Sequence, residues 1–253
     1  MRATDAQTIL GAVCKTYDTV AGEFSASRSK FWDELAFLVL CVKRGDNVLD
    51  IGCGNGRLFP LIKERRAKYT GIDCSEGLIH EAKQLHHDGE FVVSDALALP
   101  FQNNTFDIAY SFAVIHHIPG KELRAQFVRE AARVLHRNGI IVLSAWDLWT
   151  FRHLGDIIST AVKSVFGRTP LDVGDLILTF GKNRKSRYLH AFTQRELSRL
   201  LAENDFTVIY ADTVARPPHL GKSVRKSPGP VTNQSSTTGR RSEKNIVVVA
   251  KKN

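Results

Sequence analysis

Short apolar runs alternate along the chain with segments whose apolar residues recur every three or four positions. Five runs predict β-strands: NVLDI (47–51), YTGID (69–73), EFVVSD (90–95), FDIAYSF (106–112) and IIVLSAW (140–146). Three intervening segments have helical spacing: RLFPLIKERR, SEGLIHEAKQLHH and KELRAQFVREAARVLH. Strands that alternate with helices are typical of a parallel sheet with covered faces, so the pattern predicts an α/β domain.

Local signals mark where several of these elements begin. Ser75 stands at the N-cap of the second helix, and Thr193 with Glu196 forms a capping box that opens a further helix, TQRELSRLLAEN. Two later apolar runs, FTVIYADTV (206–214) and IVVVA (246–250), predict two more strands. We therefore expect a single domain over residues 1–253, without internal repeats.

Two stretches interrupt the alternation. Residues 147–191 are too long for an ordinary connection and predict a lid or substrate-facing insertion. One amphipathic helix within it is marked by Leu154, Ile157, Ile158, Ala161, Val162 and Val165. Residues 215–245 are rich in Pro, Gly, Ser and Thr and carry seven basic residues, which predicts a disordered basic loop between two strands.

The net positive charge of the chain comes entirely from residues 182–253. Residues 1–181 contain 20 Lys and Arg against 21 Asp and Glu, whereas residues 182–253 contain 15 against 5. A basic region on a nearly neutral body favours a polyanionic partner, although a solubilising segment would carry the same charge.

Cysteine spacing and hydropathy indicate the cellular setting. The four cysteines (Cys14, Cys41, Cys53 and Cys74) show no C-x-x-C spacing, so we expect free buried thiols in a reducing cytoplasm, without a disulfide framework or a metal site. The longest apolar stretch, AFLVLCV (36–42), is much shorter than the roughly 20 residues of a membrane span. The N-terminus also lacks the apolar core of a secretory signal, and we expect no membrane partner.

The segment VLDIGCGNGRLFP (48–60) places Gly52, Gly54 and Gly56 at alternate positions directly after a predicted strand. Two interpretations are open: a tight turn that needs positive φ, or a loop that lets a ligand lie against the main chain. The nicotinamide fingerprint G-x-G-x-x-G has a different spacing, and Asp50 would repel a phosphate at the mouth of the loop. An acid in that position favours a ligand with a cationic end.

The D-x-G-x-G-x-G pattern resembles motif I of the class I S-adenosylmethionine-dependent methyltransferases. The resemblance implies S-adenosylmethionine as cofactor and a Rossmann-like class I methyltransferase fold, with a seven-stranded, mostly parallel sheet whose last strand is antiparallel. Asp73 ends the second strand and Asp95 follows the third, where this fold holds ribose and adenine; the alternative is that both only cap the following helices. The implied cofactor site comprises Arg28, Asp50, Gly52, Gly54, Gly56, Asp73, Cys74, Asp95, Ala96 and Ser111.

Four further tracts resemble the tRNA methyltransferases that esterify 5-carboxymethyluridine at the wobble position: KTYDTVAGEFSASRSKFW, SFAVIHHI, SAWDLW and KSRYLHAFTQREL. By position, the resemblance implies that Arg28 binds the cofactor carboxylate and that His116 and His117 lie at the pocket mouth. The residues it places around the wobble base are Trp146, Arg187, Tyr188 and His190. Leu189 departs from the family, which usually has a second aromatic residue there.

The same resemblance implies tRNA, through its anticodon stem-loop, as the substrate. Eukaryotic and archaeal relatives work with a small zinc-binding activator subunit, and a eukaryotic member could be nuclear as well as cytoplasmic. A carboxylate acceptor is already ionised at neutral pH, so its methylation needs alignment in a dry pocket but no general base. Two alternatives stay open: a methyltransferase for a small quinone- or polyketide-type substrate, and a non-catalytic cofactor-binding scaffold.

Overall fold

The computed structural model describes residues 1–28, 30–180, 185–215 and 244–253. Its α-helices are α1 (Ala3–Thr19), α2 (Ala21–Ser27), α3 (Phe59–Glu64), α4 (Glu76–Leu85), α5 (Lys121–Val134), α6 (Phe151–Val165) and α7 (Gln194–Ala202). Its strands are β1 (Asn47–Ile51), β2 (Lys68–Asp73), β3 (Glu90–Val93), β4 (Phe106–Phe112), β5 (Leu135–Trp146), β6 (Asp175–Phe180), β7 (Lys185–His190), β8 (Phe206–Ala215) and β9 (Lys244–Lys252). The 3-10 helices Asp33–Cys41 and Ile115–His117 precede β1 and follow β4.

Seven strands form one sheet in the order β3-β2-β1-β4-β5-β9-β8. The strands from β3 to β5 are parallel, and β9 runs antiparallel to both of its neighbours. The predicted seven-stranded sheet with an antiparallel last strand is confirmed. Because β2 and β4 flank β1 and lead to opposite edges, the strand order reverses at β1, and such a switch point opens a crevice at the carboxyl ends of the strands.

Buried apolar side chains fill both faces of the sheet, because successive strand residues point to opposite sides. On one face Leu49 of β1 packs in a cluster with Phe127 of α5. On the other face Val48 belongs to a cluster that includes Ile62 of α3. The predicted stripe of α5 is buried throughout: Leu123, Phe127, Val128, Ala131, Val134 and, at the start of β5, Leu135.

The segment between β5 and α7 contains α6 and a hairpin of β6 and β7, which forms a separate two-stranded sheet. The sequence predicts the helix but not the hairpin, because KSRYLH has no run of apolar residues. Of the predicted α6 stripe, Ile157 is 2% exposed, whereas Ile158, Val162 and Val165 are more than half exposed. Much of this stripe therefore faces solvent, so amphipathic spacing alone does not identify the buried side of α6.

The predicted basic loop at 215–245 connects β8 to β9, and residues 216–243 lie outside the described part of the chain. The strands on either side of it are present where the apolar runs predict them. Among the described helices, none is both long enough and apolar enough to cross a bilayer.

Cys14 of α1 and Cys74, directly after β2, form a disulfide with their Cα atoms 5.9 Å apart. The expectation of four free thiols is therefore wrong for this pair, while Cys41 and Cys53 are free. The spacing of the cysteines does not show the pairing, because they are 60 residues apart and meet only when α1 docks beside the sheet.

Loss of this disulfide is expected to destabilise the fold. Cys14→Ser, or reduction of the wild-type protein, should lower the free energy of unfolding by about 2–4 kcal/mol, because a long loop is no longer closed in the unfolded chain. Urea unfolding with and without dithiothreitol measures the difference. Cys41→Ser, at an exposed free thiol, is the matched control. Equal stability of the oxidised and reduced wild-type protein would contradict the pairing.

Candidate active site

A continuous cavity of about 2660 Å³ opens at the carboxyl ends of β1, β2 and β4. It exceeds the roughly 300–1,000 Å³ of a single small-molecule site, so it has room for more than one ligand. Of the site residues predicted from the sequence, the cavity is lined by Arg28, Asp50, Gly52, Gly54, Asp73, Cys74, Asp95, Ala96, Trp146 and Arg187.

The glycine loop combines an unusual backbone with close neighbours. Gly52, Gly54 and Gly56 have φ values of 76°, 56° and 76°, a region that L side chains rarely adopt. A Cβ at Gly52 would also lie 2.3 Å from the side chain of Val114. Gly52 and Gly54 border the cavity, whereas Gly56 packs against Phe91 away from it. The turn interpretation therefore suffices for Gly56, while the other two glycines also present main chain to a ligand.

Asp50 is a buried acid at the end of β1, 3% exposed, that accepts a 2.8 Å hydrogen bond from the hydroxyl of Tyr69. Burial raises the pKa of Asp50 to about 7, although the Tyr69 hydrogen bond and the charge of Arg57 oppose the shift. An opposite charge favours the ionised form of an acid. A cationic ligand at this end of the cavity would therefore drive a proton off Asp50.

Asp73 and Asp95 both cap turns and border the cavity. The two carboxylate oxygens of Asp73 accept the N–H groups of Ser75 and Gly54, each at 2.9 Å. Asp95 Oδ1 accepts the N–H of Leu97 at 2.8 Å. Since a carboxylate oxygen has a second lone pair, the capping role leaves both residues able to accept hydrogen bonds from a ligand.

Phe24 of α2, Arg28 and Trp32 after it, and Arg57 of the glycine loop form an aromatic and cationic wall of the cavity. Arg28 lies over the ring of Phe24, with its Cζ 4.4 Å from the centroid, and Arg57 lies over Trp32 at 3.7 Å. All four side chains line the cavity. Asn55 donates to the carbonyl of Arg28 at 2.9 Å and so holds the segment after α2 against the glycine loop.

A cluster of four side chains, which we call the arginine cluster, forms another part of the wall: Tyr17, His117, Trp146 and Arg187. Arg187 is 5% exposed, lies over the Trp146 ring at 4.8 Å and donates from Nη1 to the Tyr17 hydroxyl at 3.0 Å. His117 Nδ1 lies 3.0 Å from the carbonyl oxygen of Tyr188, and its Nε2 lies 2.9 Å from the Tyr17 hydroxyl. Burial, and then the charge of Arg187, lowers the pKa of His117 to about 3.

Two predicted site residues lie behind the cavity wall. Ser111 is fully buried and donates to the carbonyl of Ile51 at 3.0 Å, so its hydroxyl serves the β1–β4 pairing. His116 is also fully buried, with its ring 4.9 Å from that of Trp146 and its Nδ1 accepting the Trp146 N–H at 3.4 Å. The geometry thus gives His116 a supporting position under Trp146, and not one at the pocket mouth.

Tyr188 and His190 also fall outside the cavity. The Tyr188 hydroxyl donates to Asp175 at 2.6 Å, and the two ring nitrogens of His190 contact Asp175 and Glu196 at 2.7 and 2.8 Å. Burial lowers the pKa of His190, but hydrogen bonds to the two carboxylates outweigh it, and the net shift is upward. These side chains hold the β6–β7 hairpin to α7, and in this structure neither can stack on or bind a ligand in the cavity.

Comparisons with known proteins identify the family to which this fold belongs. The family model described as a methyltransferase domain matches residues 49–143, from β1 into β5. A solved S-adenosylmethionine-dependent methyltransferase from Methanosarcina mazei has the same fold, with a TM-score of 0.65 and 20% identity over 88% of this chain and 98% of that one. A protein of Encephalitozoon cuniculi described as a methyltransferase is 32% identical over 200 residues, covering 78% of this chain and 88% of its own length. The chain belongs to the S-adenosylmethionine-dependent methyltransferases.

Other relatives of this methyltransferase are named as tRNA methyltransferases. The Xenopus tropicalis tRNA (carboxymethyluridine(34)-5-O)-methyltransferase is 34% identical over 136 residues, which are 54% of this chain and 21% of that protein. The match thus spans about a fifth of that relative, and 48% of the Saccharomyces cerevisiae protein of the same name. Among solved structures, the Haloferax volcanii methyltransferase in complex with the Trm112 methyltransferase activator has a TM-score of 0.64 at 16% identity, covering 95% and 97% of the two chains.

The cavity residues fit the cofactor of this family. S-Adenosylmethionine has a cationic amino-acid end, two ribose hydroxyls and an adenine. The end of β1 offers a buried acid, Asp73 has acceptor oxygens at the end of β2, and Gly52 and Gly54 leave main-chain surface that a side chain would cover. This set of groups matches a cationic ligand with hydroxyls far better than it matches a pyrophosphate.

Binding of S-adenosylmethionine is expected to release a proton from the methyltransferase. Because the pKa of Asp50 is raised to about 7 and a cation would favour its ionised form, affinity should fall by up to about tenfold per pH unit below pH 7. Calorimetry near pH 6 in two buffers of different ionisation enthalpy measures the proton release. Asp50→Asn should abolish this release, whereas the exposed-site control Asp88→Asn should keep it. Affinity that is unchanged between about pH 5.5 and 7 would contradict the assignment.

Proposed function

We propose that this methyltransferase transfers the methyl group of S-adenosylmethionine to the carboxylate of 5-carboxymethyluridine at the wobble position of tRNA. One observation carries the choice of a carboxylate as acceptor: the arginine cluster combines a buried cation with a histidine that does not take up a proton. Both nitrogens of His117 are engaged and its pKa is lowered to about 3. A hydroxyl acceptor would need a base beside it, whereas a carboxylate needs a cation to hold it.

Arg187 is the group that holds the acceptor in this proposal. Its guanidinium is permanently charged, and its planar fork matches a carboxylate or a phosphate. Trp146, whose ring contacts the guanidinium and the ring of His116, lines the same part of the cavity. Since Tyr188 is buried away from the cavity, Trp146 is the aromatic residue proposed to contact the extruded uridine.

The donor end of the site is proposed to hold S-adenosylmethionine through the acids at the strand ends. Asp50 would pair with the amino group, Asp73 would accept from the ribose hydroxyls, Asp95 would hold the adenine and Arg28 would bind the cofactor carboxylate. The bound cofactor supplies an electrophilic methyl group on a sulfonium. The chain's own contribution is alignment of the two ligands within one cavity.

The basic C-terminal region and the names of the relatives support tRNA, rather than a small molecule, as the substrate. The residues from 182 to the end carry 15 Lys and Arg against 5 Asp and Glu, which suits contact with the phosphates of an anticodon stem-loop. Two relatives named as tRNA methyltransferases match this chain at 33–34% identity over 136 residues. By analogy with the Haloferax volcanii complex, we also propose that a small activator subunit assists the reaction.

Substitution of Arg187 tests the acceptor side of the proposal. A charge-assisted contact in a partly dry pocket is worth about 1.5–3 kcal/mol, so Arg187→Ala should lower kcat/KM by about 10- to 150-fold. Arg187→Lys should recover only part of the loss, because an ammonium lacks the planar fork. Cofactor affinity should stay within about twofold of wild type, because the acids at the strand ends remain in place. The assay is single-turnover methylation of tRNA that carries 5-carboxymethyluridine, with any required activator present.

Two controls make this experiment decisive. Arg137→Ala removes an exposed arginine near the start of β5, outside both the cavity and the basic region of residues 182–253, and should leave the rate unchanged. The same tRNA with unmodified uridine should give no product. Equal methylation of both tRNAs, or none of either with the wild-type protein, would overturn the assignment of the substrate and favour a small-molecule acceptor.

A further inference from the structure

Tyr17 reaches the arginine cluster from the last turn of α1. Its hydroxyl lies 3.0 Å from Arg187 Nη1 and 2.9 Å from His117 Nε2, and its ring packs edge-on against that of His117. The neighbouring Thr16 contacts the carbonyl of Ser186 at 3.4 Å, so α1 lies directly along β7. The two partners of the Tyr17 hydroxyl thus come from two different chain segments, the 3-10 turn after β4 and the hairpin strand β7.

Three hydrogen bonds link the Tyr188 carbonyl, His117, Tyr17 and Arg187 in series, and each has a single allowed direction. A carbonyl oxygen only accepts, so His117 Nδ1 must carry the proton that is donated to Tyr188. In a neutral imidazole the other nitrogen is then an acceptor, so the Tyr17 hydroxyl donates to His117 Nε2. The oxygen of Tyr17 is left to accept from Arg187, which can only donate. Each group in this chain therefore fixes the orientation of the next.

We propose that Tyr17 is a positioning residue that holds the guanidinium of Arg187 in the orientation that receives the acceptor carboxylate. This inference rests on the proposed function of Arg187. An arginine side chain has many rotamers, and a misplacement of about 1 Å at a reacting centre can cost on the order of a hundredfold in rate. The ring of Trp146 restrains the plane of the guanidinium, and the Tyr17 oxygen restrains its rotation within that plane.

The anchoring of α1 gives Tyr17 a fixed position relative to the donor end of the cavity. Cys14, one helical turn before Tyr17, is bonded to Cys74 directly after Asp73. Asp18, the next residue, accepts from the Ser75 hydroxyl at 2.6 Å and from the N–H of Gly77 at 3.2 Å. Tyr17 thus connects Arg187 to the chain segment that carries Asp73.

The hydrogen-bond chain itself is tested without any acceptor. Nitrogen-15 spectra of histidine-labelled protein should show His117 as the neutral tautomer with its proton on Nδ1 and with Nε2 accepting a hydrogen bond. Tyr17→Phe keeps the ring and removes only the hydroxyl, so the Nε2 resonance should shift toward that of a nitrogen without a donor. A wild-type His117 with its proton on Nε2 would overturn the proposal, because Tyr17 could not then donate to it.

The positioning role is tested by kinetics on tRNA that carries 5-carboxymethyluridine. Tyr17→Phe should lower kcat/KM by about 5- to 30-fold, the loss expected for one hydrogen bond, while cofactor affinity stays within about twofold. In an Arg187→Ala background the same change should alter the rate by less than about twofold, because the group that it positions is absent. Tyr210→Phe, a tyrosine of β8 remote from the cavity, is the matched control.

The outcomes separate this inference from the proposed function. If the wild-type protein methylates this tRNA and Tyr17→Phe has the same kcat/KM, the positioning role is overturned and the substrate assignment stays intact. Equal losses on Tyr17→Phe in the wild-type and Arg187→Ala backgrounds would also overturn it, since a merely structural role predicts additivity. A third outcome is that His117 shows the expected tautomer but the wild-type protein does not methylate this tRNA. The hydrogen-bond chain would then stand, but Arg187 would have no role in acceptor binding and Tyr17 no positioning role.

Discussion

His117 Nδ1 and the carbonyl oxygen of Tyr188 are 3.0 Å apart, and this contact sets the direction of the hydrogen bonds around His117. The carbonyl requires a proton on Nδ1, burial keeps the ring neutral, and Nε2 is left as an acceptor for Tyr17. The same contact ties the turn after β4 to the hairpin strand that carries Arg187. The result is a cluster that holds a positive charge but offers no base, and this combination suits an acceptor that is already an anion.

The acids at the strand ends and the buried Arg187 belong to different sheets of the protein. Acids stand at the carboxyl ends of β1 and β2, where parallel strands meet at one edge of the sheet, and the buried cation stands on the β6–β7 hairpin outside that sheet. A cationic methyl donor would bind near the acids at the strand ends, and an anionic acceptor would bind near Arg187. Helix α1 is linked to both regions through the disulfide at Cys14 and the hydrogen bond at Tyr17.

The donor end could be predicted from the sequence, whereas much of the other end could not. Asp50, Asp73 and the glycines follow apolar runs that read as parallel strands, and the sheet topology alone brings such positions together. Tyr188 and His190 are close to Arg187 in the sequence, yet both side chains hydrogen-bond to the buried acid Asp175 and do not line the cavity. The contacts of Tyr17 and the disulfide of Cys14 depend on the docking of α1. No local sequence pattern predicts where α1 docks.

The most direct test of the account is the pH dependence of the methyl-transfer step itself. Single-turnover rates on tRNA that carries 5-carboxymethyluridine, measured at saturating cofactor so that Asp50 does not limit binding, should be flat between about pH 6 and 8.5. A carboxylate is fully ionised over that range, and the arginine cluster has no group that must lose a proton first. A rate that rises about tenfold per pH unit through this range would show that a base is required and would contradict a carboxylate acceptor held by Arg187.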